Sequence, residues 1–203
     1  EARAAIGRPV PSTVSIEVTR SCGARCEHCL IREGEGELSY REITTVIDQA
    51  LEMGSCIITF TEGDPLLRED IFDLVRHIDP EKAVANLFTP GVELTVEKAV
   101  KLKEAGLYNL IIGIYSVNPE EHDRIRGVAG AHARALEAIR TALDAGLMVT
   151  MSCHIKAGQV DRILDLHRLA AELGVHELSV WEGMPRSPEE KLTLIEKEKI
   201  IDI

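Results

Sequence analysis

Apolar positions along the chain alternate between two spacings. Short apolar runs with many β-branched residues recur at 14–18, 56–60, 83–88, 110–115, 147–153 and 177–181. Runs of this length and composition are typical of strands covered on both faces of a parallel sheet. Between them lie amphipathic stretches at 40–53, 68–78, 96–105, 131–145 and 159–173, with a last one from about Pro188. Their apolar residues recur every three to four positions, which is one face of a helix. Terminal signals agree. Ser39 with Glu42 makes a capping box, Thr95 and Ser187 can cap the third and sixth helices, and Gly54, Gly106, Gly146 and Gly174 each follow a helical run.

The alternation predicts an α/β protein of six βα units. A complete eight-unit barrel takes about 250 residues. The 203 residues here predict either an incomplete barrel or an open, doubly wound sheet. A short lead-in over 1–13 precedes one core domain over 14–203, and no low-complexity linker divides it. The chain opens on Glu1 rather than Met and stops within the helical pattern EKEKIIDI, so further protein is expected past Ile203.

Composition narrows the class. Apolar residues make up 45% of the chain, as in globular proteins, and no apolar run reaches the length of a membrane span. Net charge is −11, which argues against a broad surface for nucleic acid or acidic membranes. The five cysteines are an odd number, and three crowd into TRSCGARCEHCL at positions 19–30. That is a poor disulfide framework. It points to a reducing, cytoplasmic setting and to thiols used for metal or catalysis.

The crowded cysteines are Cys22, Cys26 and Cys29, spaced C-x3-C-x2-C just after the first predicted strand. In a βα protein this is a loop at the C-terminal mouth of the sheet, where sites are built. A structural zinc takes four ligands, so three thiols leave the shell incomplete. Three thiolates can instead hold a [4Fe–4S] cube with one iron open to a substrate or cofactor. His28 could complete a Cys₃His zinc shell, but its place between Cys26 and Cys29 strains that arrangement. Cys56 and Cys153 fall in strand runs and read as small core residues.

The stretch VTRSCGARCEHCL resembles the cluster motif of the radical S-adenosylmethionine (radical SAM) superfamily. The resemblance implies a partial (β/α)₆ TIM-like barrel. It also implies a [4Fe–4S] cluster on Cys22, Cys26 and Cys29, with S-adenosylmethionine on the open iron and His28 near the adenine. TFTEGDPLL resembles the family's TGGEPLL segment, which would place Glu62, Gly63, Asp64 and Pro65 at the methionine amino group. Two residues depart from that pattern: Glu62 stands where Gly is usual, and Asp64 where Glu is usual. NPEEHDRIRGVAGAHARALEAI resembles a segment of the subgroup that modifies peptides and cofactor precursors. Just before it, Gly113 and Tyr115 replace the familiar Ser and Asp of SLDG. By the same resemblance, Arg134 faces the cofactor carboxylate and Ser152 the ribose.

Strand alternation puts His154 on the face of Ser152, and Tyr115 on the face of Gly113. Tyr115 and His154 are the candidates for substrate contact or proton or hydrogen-atom donation. Glu182, at the end of the last strand, is a candidate for contact with the cofactor or substrate, or for a linker to the final helix. His122, His132 and His167 fall in loop or helix patterns and are expected on the surface. Thr89 to Gly91 reads as turn chemistry. The function implied is reductive cleavage of S-adenosylmethionine to methionine and a 5′-deoxyadenosyl radical, which takes a hydrogen atom from a peptide or cofactor precursor. A sugar, nucleoside or other small metabolite as substrate, or a non-catalytic iron–sulfur or zinc module, are the alternatives. A low-potential donor such as flavodoxin or ferredoxin is the implied partner.

Overall fold

A computed structural model describes residues 10–29, 36–183, 185 and 187–201. Most of the expected lead-in and the end of the chain at Ile203 lie outside them. Six strands form one sheet: β1 (Thr13–Glu17), β2 (Ile57–Thr61), β3 (Val84–Thr89), β4 (Asn109–Gly113), β5 (Met148–Ile155) and β6 (Glu177–Glu182). All neighbours are parallel and the order is β1-β2-β3-β4-β5-β6. Strands in sequential order never reverse direction across the sheet, so there is no switch point of the doubly wound kind. The architecture is the partial (β/α)₆ barrel, with β1 and β6 as its two edges.

Helices α1 (Tyr40–Met53), α2 (Ile71–His77), α3 (Val96–Glu104), α5 (Ala131–Asp144) and α6 (Arg162–Leu173) follow the predicted alternation. The capping box at Ser39 forms, with the Glu42 N–H donating to Ser39 Oγ at 3.3 Å and the Ser39 N–H to the Glu42 carboxylate at 2.8 Å. Thr95 caps α3 through the Lys98 N–H.

Three expectations change. α2 begins at Ile71 rather than 68, because Arg68 is extended and closes a short 3₁₀ turn, Pro65–Leu67. Ser187 makes no side-chain cap; it precedes a 3₁₀ turn, and α7 (Leu194–Ile201) starts later. There Thr193 and Glu196 form the box instead, Glu196 N–H to Thr193 Oγ1 and Thr193 N–H to the Glu196 carboxylate. An additional helix, α4 (Pro119–Arg126), lies between β4 and α5. Asn118 caps it, Pro119 occupies its first turn, and Gly127 ends it in the left-handed conformation.

Each strand divides its residues between two environments. On β5, Val149, Met151, Cys153 and Ile155 belong to the hydrophobic core under the helices. The alternating residues face the barrel interior, where Thr150 bonds Asn109 low down and Ser152 and His154 line a cavity at the mouth. Phe60 on β2 is fully buried in the same core. Truncating it to Ala costs about 3–5 kcal/mol in cores of this kind. Cys153 is buried as expected, but Cys56 is exposed, because it sits one residue ahead of β2 rather than within it.

Candidate functional site

A cavity of about 560 Å³ opens at the C-terminal ends of the strands. The loop after β1 brings all of Cys22, Cys26 and Cys29 to it. None of the three is in a disulfide. Burial pushes the Cys22 thiol up, while the Ala24 N–H, 3.4 Å from its Sγ, works in the opposite direction. Among the described residues no group of three His, Cys, Asp or Glu side chains converges as on a single ion. All three cysteines nevertheless line the same cavity.

Helix α4 holds this loop. The N–H groups of Arg25 and Glu27 donate to the carbonyls of Arg126 and Ile125 at 2.8 and 2.9 Å, and Arg124 pairs with Glu27 at 2.7 Å. The Arg126 side chain, 6% exposed, reaches under the loop. Its Nη2 donates to the Gly113 carbonyl at 2.7 Å, its Nη1 lies 3.5 Å from Cys26 Sγ, and its guanidinium carbon is 4.6 Å from the centre of the Tyr115 ring. A Cβ on Gly113 would collide with Nη2 and sit 3.3 Å from the Tyr115 hydroxyl. The exchange of the familiar Ser for Gly113 therefore makes room for an arginine.

The β2 end supplies the opposite wall. Glu62 and Gly63 line the cavity with φ of 65° and 55°. Glu62 is the one non-glycine residue with positive φ among those described, a strained state for a side-chain-bearing residue. Burial, then the nearby Glu17, raises its carboxyl. Gly63 cannot carry a side chain: a Cβ would lie 2.5 Å from the Ser21 carbonyl oxygen and 2.8 Å from that of Thr19. Asp64 is fully buried and points away, accepting from Thr89 Oγ1 at 2.8 Å and from the Leu66 N–H at 3.2 Å. Burial raises its carboxyl despite those bonds. Asp64 and buried Pro65 brace the turn and do not line the cavity, and Thr89 is part of that brace as well as of its own turn.

His28, Tyr115 and His154 form one aromatic wall. His28 meets Tyr115 edge-on at 4.8 Å and stacks on His154 at 5.6 Å between ring centres. Burial holds the His28 imidazole down at about 4, with His154 and Arg126 adding repulsion. Burial also lowers His154, with Arg126 second. Tyr115 is raised by burial. Gly113 and Ser152, paired across β4 and β5, lie on the floor.

Other expectations fall elsewhere. Arg134 is exposed on α5, donates to the Ala129 carbonyl, and is not brought to the cavity. Glu182 ion-pairs with Lys197 of α7 at 3.0 Å, which is the linker role. His122 and His132 are not on the surface: they are 0% and 7% exposed. His122 is buried because Pro119–Arg126 form α4, whose inward face carries His122, Ile125 and Arg126 at helical spacing. His132 packs on it at 5.3 Å. His167 is exposed on α6, as expected. Arg126 was missed, although that spacing and the Asn-Pro start signal were readable. Lys156 and Gln159, just past β5, also line the cavity.

A partial βα barrel with three cysteines at its mouth is the frame of a cluster-binding enzyme. Residues 16–162 match the Radical SAM superfamily, and the chain belongs to that superfamily. Its cofactors are a [4Fe–4S] cluster and S-adenosylmethionine. The chain is 33% identical to the AdoMet-dependent heme synthase of Oleidesulfovibrio alaskensis over 88% of its own length and 47% of that protein. It is 34% identical to the PqqA peptide cyclase of Streptomyces rochei, over 84% and 48%. The fold matches S-adenosylmethionine-bound SuiB from Streptococcus suis with a TM-score of 0.79 at 15% identity, covering 95% of this chain and 47% of that one. The chain thus spans about half the length of the curated relatives it matches.

Proposed function

We propose that this chain is the catalytic core of a radical SAM enzyme acting on a peptide or a cofactor precursor, with Cys22, Cys26 and Cys29 as cluster ligands. The observation that carries the reading is the meeting of these thiols with the Glu62–Gly63 backbone in one cavity. Three thiolates leave one corner for a cofactor, and the close-packed Gly63 turn lays main chain beside it. When bound, the cluster and S-adenosylmethionine supply a 5′-deoxyadenosyl radical that removes a hydrogen atom from substrate.

The protein's own part is positioning and exclusion of water. His28 offers an uncharged ring for the adenine, because burial keeps its imidazole neutral. Ser152 lines the floor, and its hydroxyl is the group we assign to the ribose. Tyr115 and His154, in contact with His28, face the remaining space and are the groups for substrate contact or donation. Peptide chemistry is favoured by the relatives: a PqqA peptide cyclase by sequence, and by fold SuiB bound to precursor peptide SuiA, TM-score 0.79. The heme synthases keep a cofactor precursor in view. Among the described residues no helix is long and apolar enough to cross a membrane. A cytoplasmic setting fits cysteines that stand outside any disulfide among the described residues, and a flavodoxin or ferredoxin is the class of donor the superfamily implies.

The test is anaerobic reconstitution, addition of dithionite and S-adenosylmethionine, and chromatography for 5′-deoxyadenosine. The expected result is release of 5′-deoxyadenosine by the native chain and none by Cys22→Ala. Equal release by both would contradict the ligand assignment, and no release from an iron-loaded native chain would contradict the activity.

A further inference from the structure

A buried cation without an anion is costly. Moving an isolated charge into the interior carries a penalty of several kcal/mol unless it is paired and hydrogen-bonded. Arg126 stands in that position. Among the described residues no carboxylate lies within ion-pair distance of it, and its buried Nε has no hydrogen-bond partner. Its visible partners are a carbonyl, a ring face and the Cys26 sulfur. The chain spends two further features on keeping it there: a glycine at 113, and a helix, α4, whose last carbonyls clamp the cysteine loop. The missing anion has a natural source. Thiols that ligate a metal are deprotonated, so Cys22, Cys26 and Cys29 bring negative charge to this cavity when the cluster is bound.

We propose that Arg126 is the counter-charge of the cluster, its guanidinium offsetting the thiolates through Cys26 and making the cluster easier to reduce. The inference rests on the ligand assignment above. Cluster potential responds to net charge, hydrogen bonds to sulfur and solvent exposure, and Arg126 bears on the first two. It touches no reacting atom in this arrangement, so it is a positioning residue. Reduction adds one negative charge, and a fixed cation beside the cluster stabilises that state. Removing the cation must lower the potential.

The test is an EPR-monitored redox titration of the reconstituted full chain, with iron content and circular dichroism as controls. Arg126→Gln is expected to make reduction at least about tenfold less favourable, which is about 59 mV for a one-electron couple. Arg126→Lys keeps a point charge and is expected to restore most of the shift. Gly113→Ala keeps the arginine but displaces it, and is expected to shift the potential in the same direction. A folded Arg126→Gln chain that loses iron, with Arg126→Lys retaining it, also supports the counter-charge. A wild-type potential in iron-loaded Arg126→Gln would overturn the proposal, as would equal iron loss in folded Gln and Lys variants, which marks a shape requirement. The underlying assignment fails separately, by Cys26→Ala retaining its iron.

Discussion

Two arginines sit under the same barrel mouth in opposite states. Arg68 follows the Pro65–Leu67 turn; its side chain is 11% exposed and satisfied on every side. It pairs with Asp70 through both Nε and Nη2, and its Nη1 donates to the carbonyls of Val18 and Leu38 at 2.7 and 2.8 Å. Arg126, which lines the cavity, is as deeply placed but among the described residues has no carboxylate partner and an orphaned Nε. Arg68 ties the end of β1 to the turn after β2 and is complete as it stands. Arg126 becomes complete only when negative charge arrives at Cys26. The contrast separates a residue that builds the mouth from one that serves what the mouth holds.

The largest expected effect is on the cluster. Cys26→Ala is expected to lose its iron while Cys56→Ser, outside the cavity, keeps it; iron analysis after anaerobic reconstitution decides, and the reverse order would break the comparison at its root. Next comes folding stability without the cluster. Arg68→Ala strands Asp70 and two carbonyls and should cost about 2–3 kcal/mol in urea denaturation. Arg126→Met removes an unpaired buried cation, and its midpoint is expected within about 1 kcal/mol of the native chain. Equal losses would show that both arginines are structural.

A pH effect of about the same size sharpens the Arg126 side. Burial, then Arg126, holds His122 down to about 3, whereas an unfolded histidine titrates near 6.5. The unfolded chain therefore binds a proton that the folded one refuses between those values. Stability is full above about pH 6.5 and falls as pH drops toward 3. About 2 kcal/mol should be lost between pH 7 and 5 on this account alone. His122→Gln is expected to flatten that slope, and Arg126→Met to make it shallower by removing one repulsion; unchanged slopes in both would contradict the burial seen here. The smallest effect is at the opposite wall. Glu62→Gly relieves a left-handed residue and should raise stability by about 1 kcal/mol, read as a higher urea midpoint.

Much of this was legible in the chain. The two apolar periods located all six strands within a residue or two, and the Ser39 box set the start of α1. The sequence left barrel and doubly wound sheet open, since strand order is a property of pairing rather than of any strand. Helix α4 escaped because eight residues with few apolar positions carry little periodicity, although its Asn118-Pro119 start and Gly127 stop were present. With it went Arg126, His122 and the reason Gly113 is a glycine. Asp64 and Glu182 meet a different limit. A carboxylate next to a site reads the same whether it faces the cavity, braces a turn or links a helix, and only the fold separates these. Cys22, Cys26 and Cys29 needed no such help, because their spacing on one loop brings them together whatever the remainder does.

The most direct test of the central claim is the EPR spectrum of the anaerobic, dithionite-reduced chain before and after S-adenosylmethionine is added. A cube held by Cys22, Cys26 and Cys29 keeps one iron open, so the reduced signal should change shape on addition and be absent in Cys26→Ala. A reduced cluster whose signal ignores S-adenosylmethionine, or survives loss of Cys26, would contradict it.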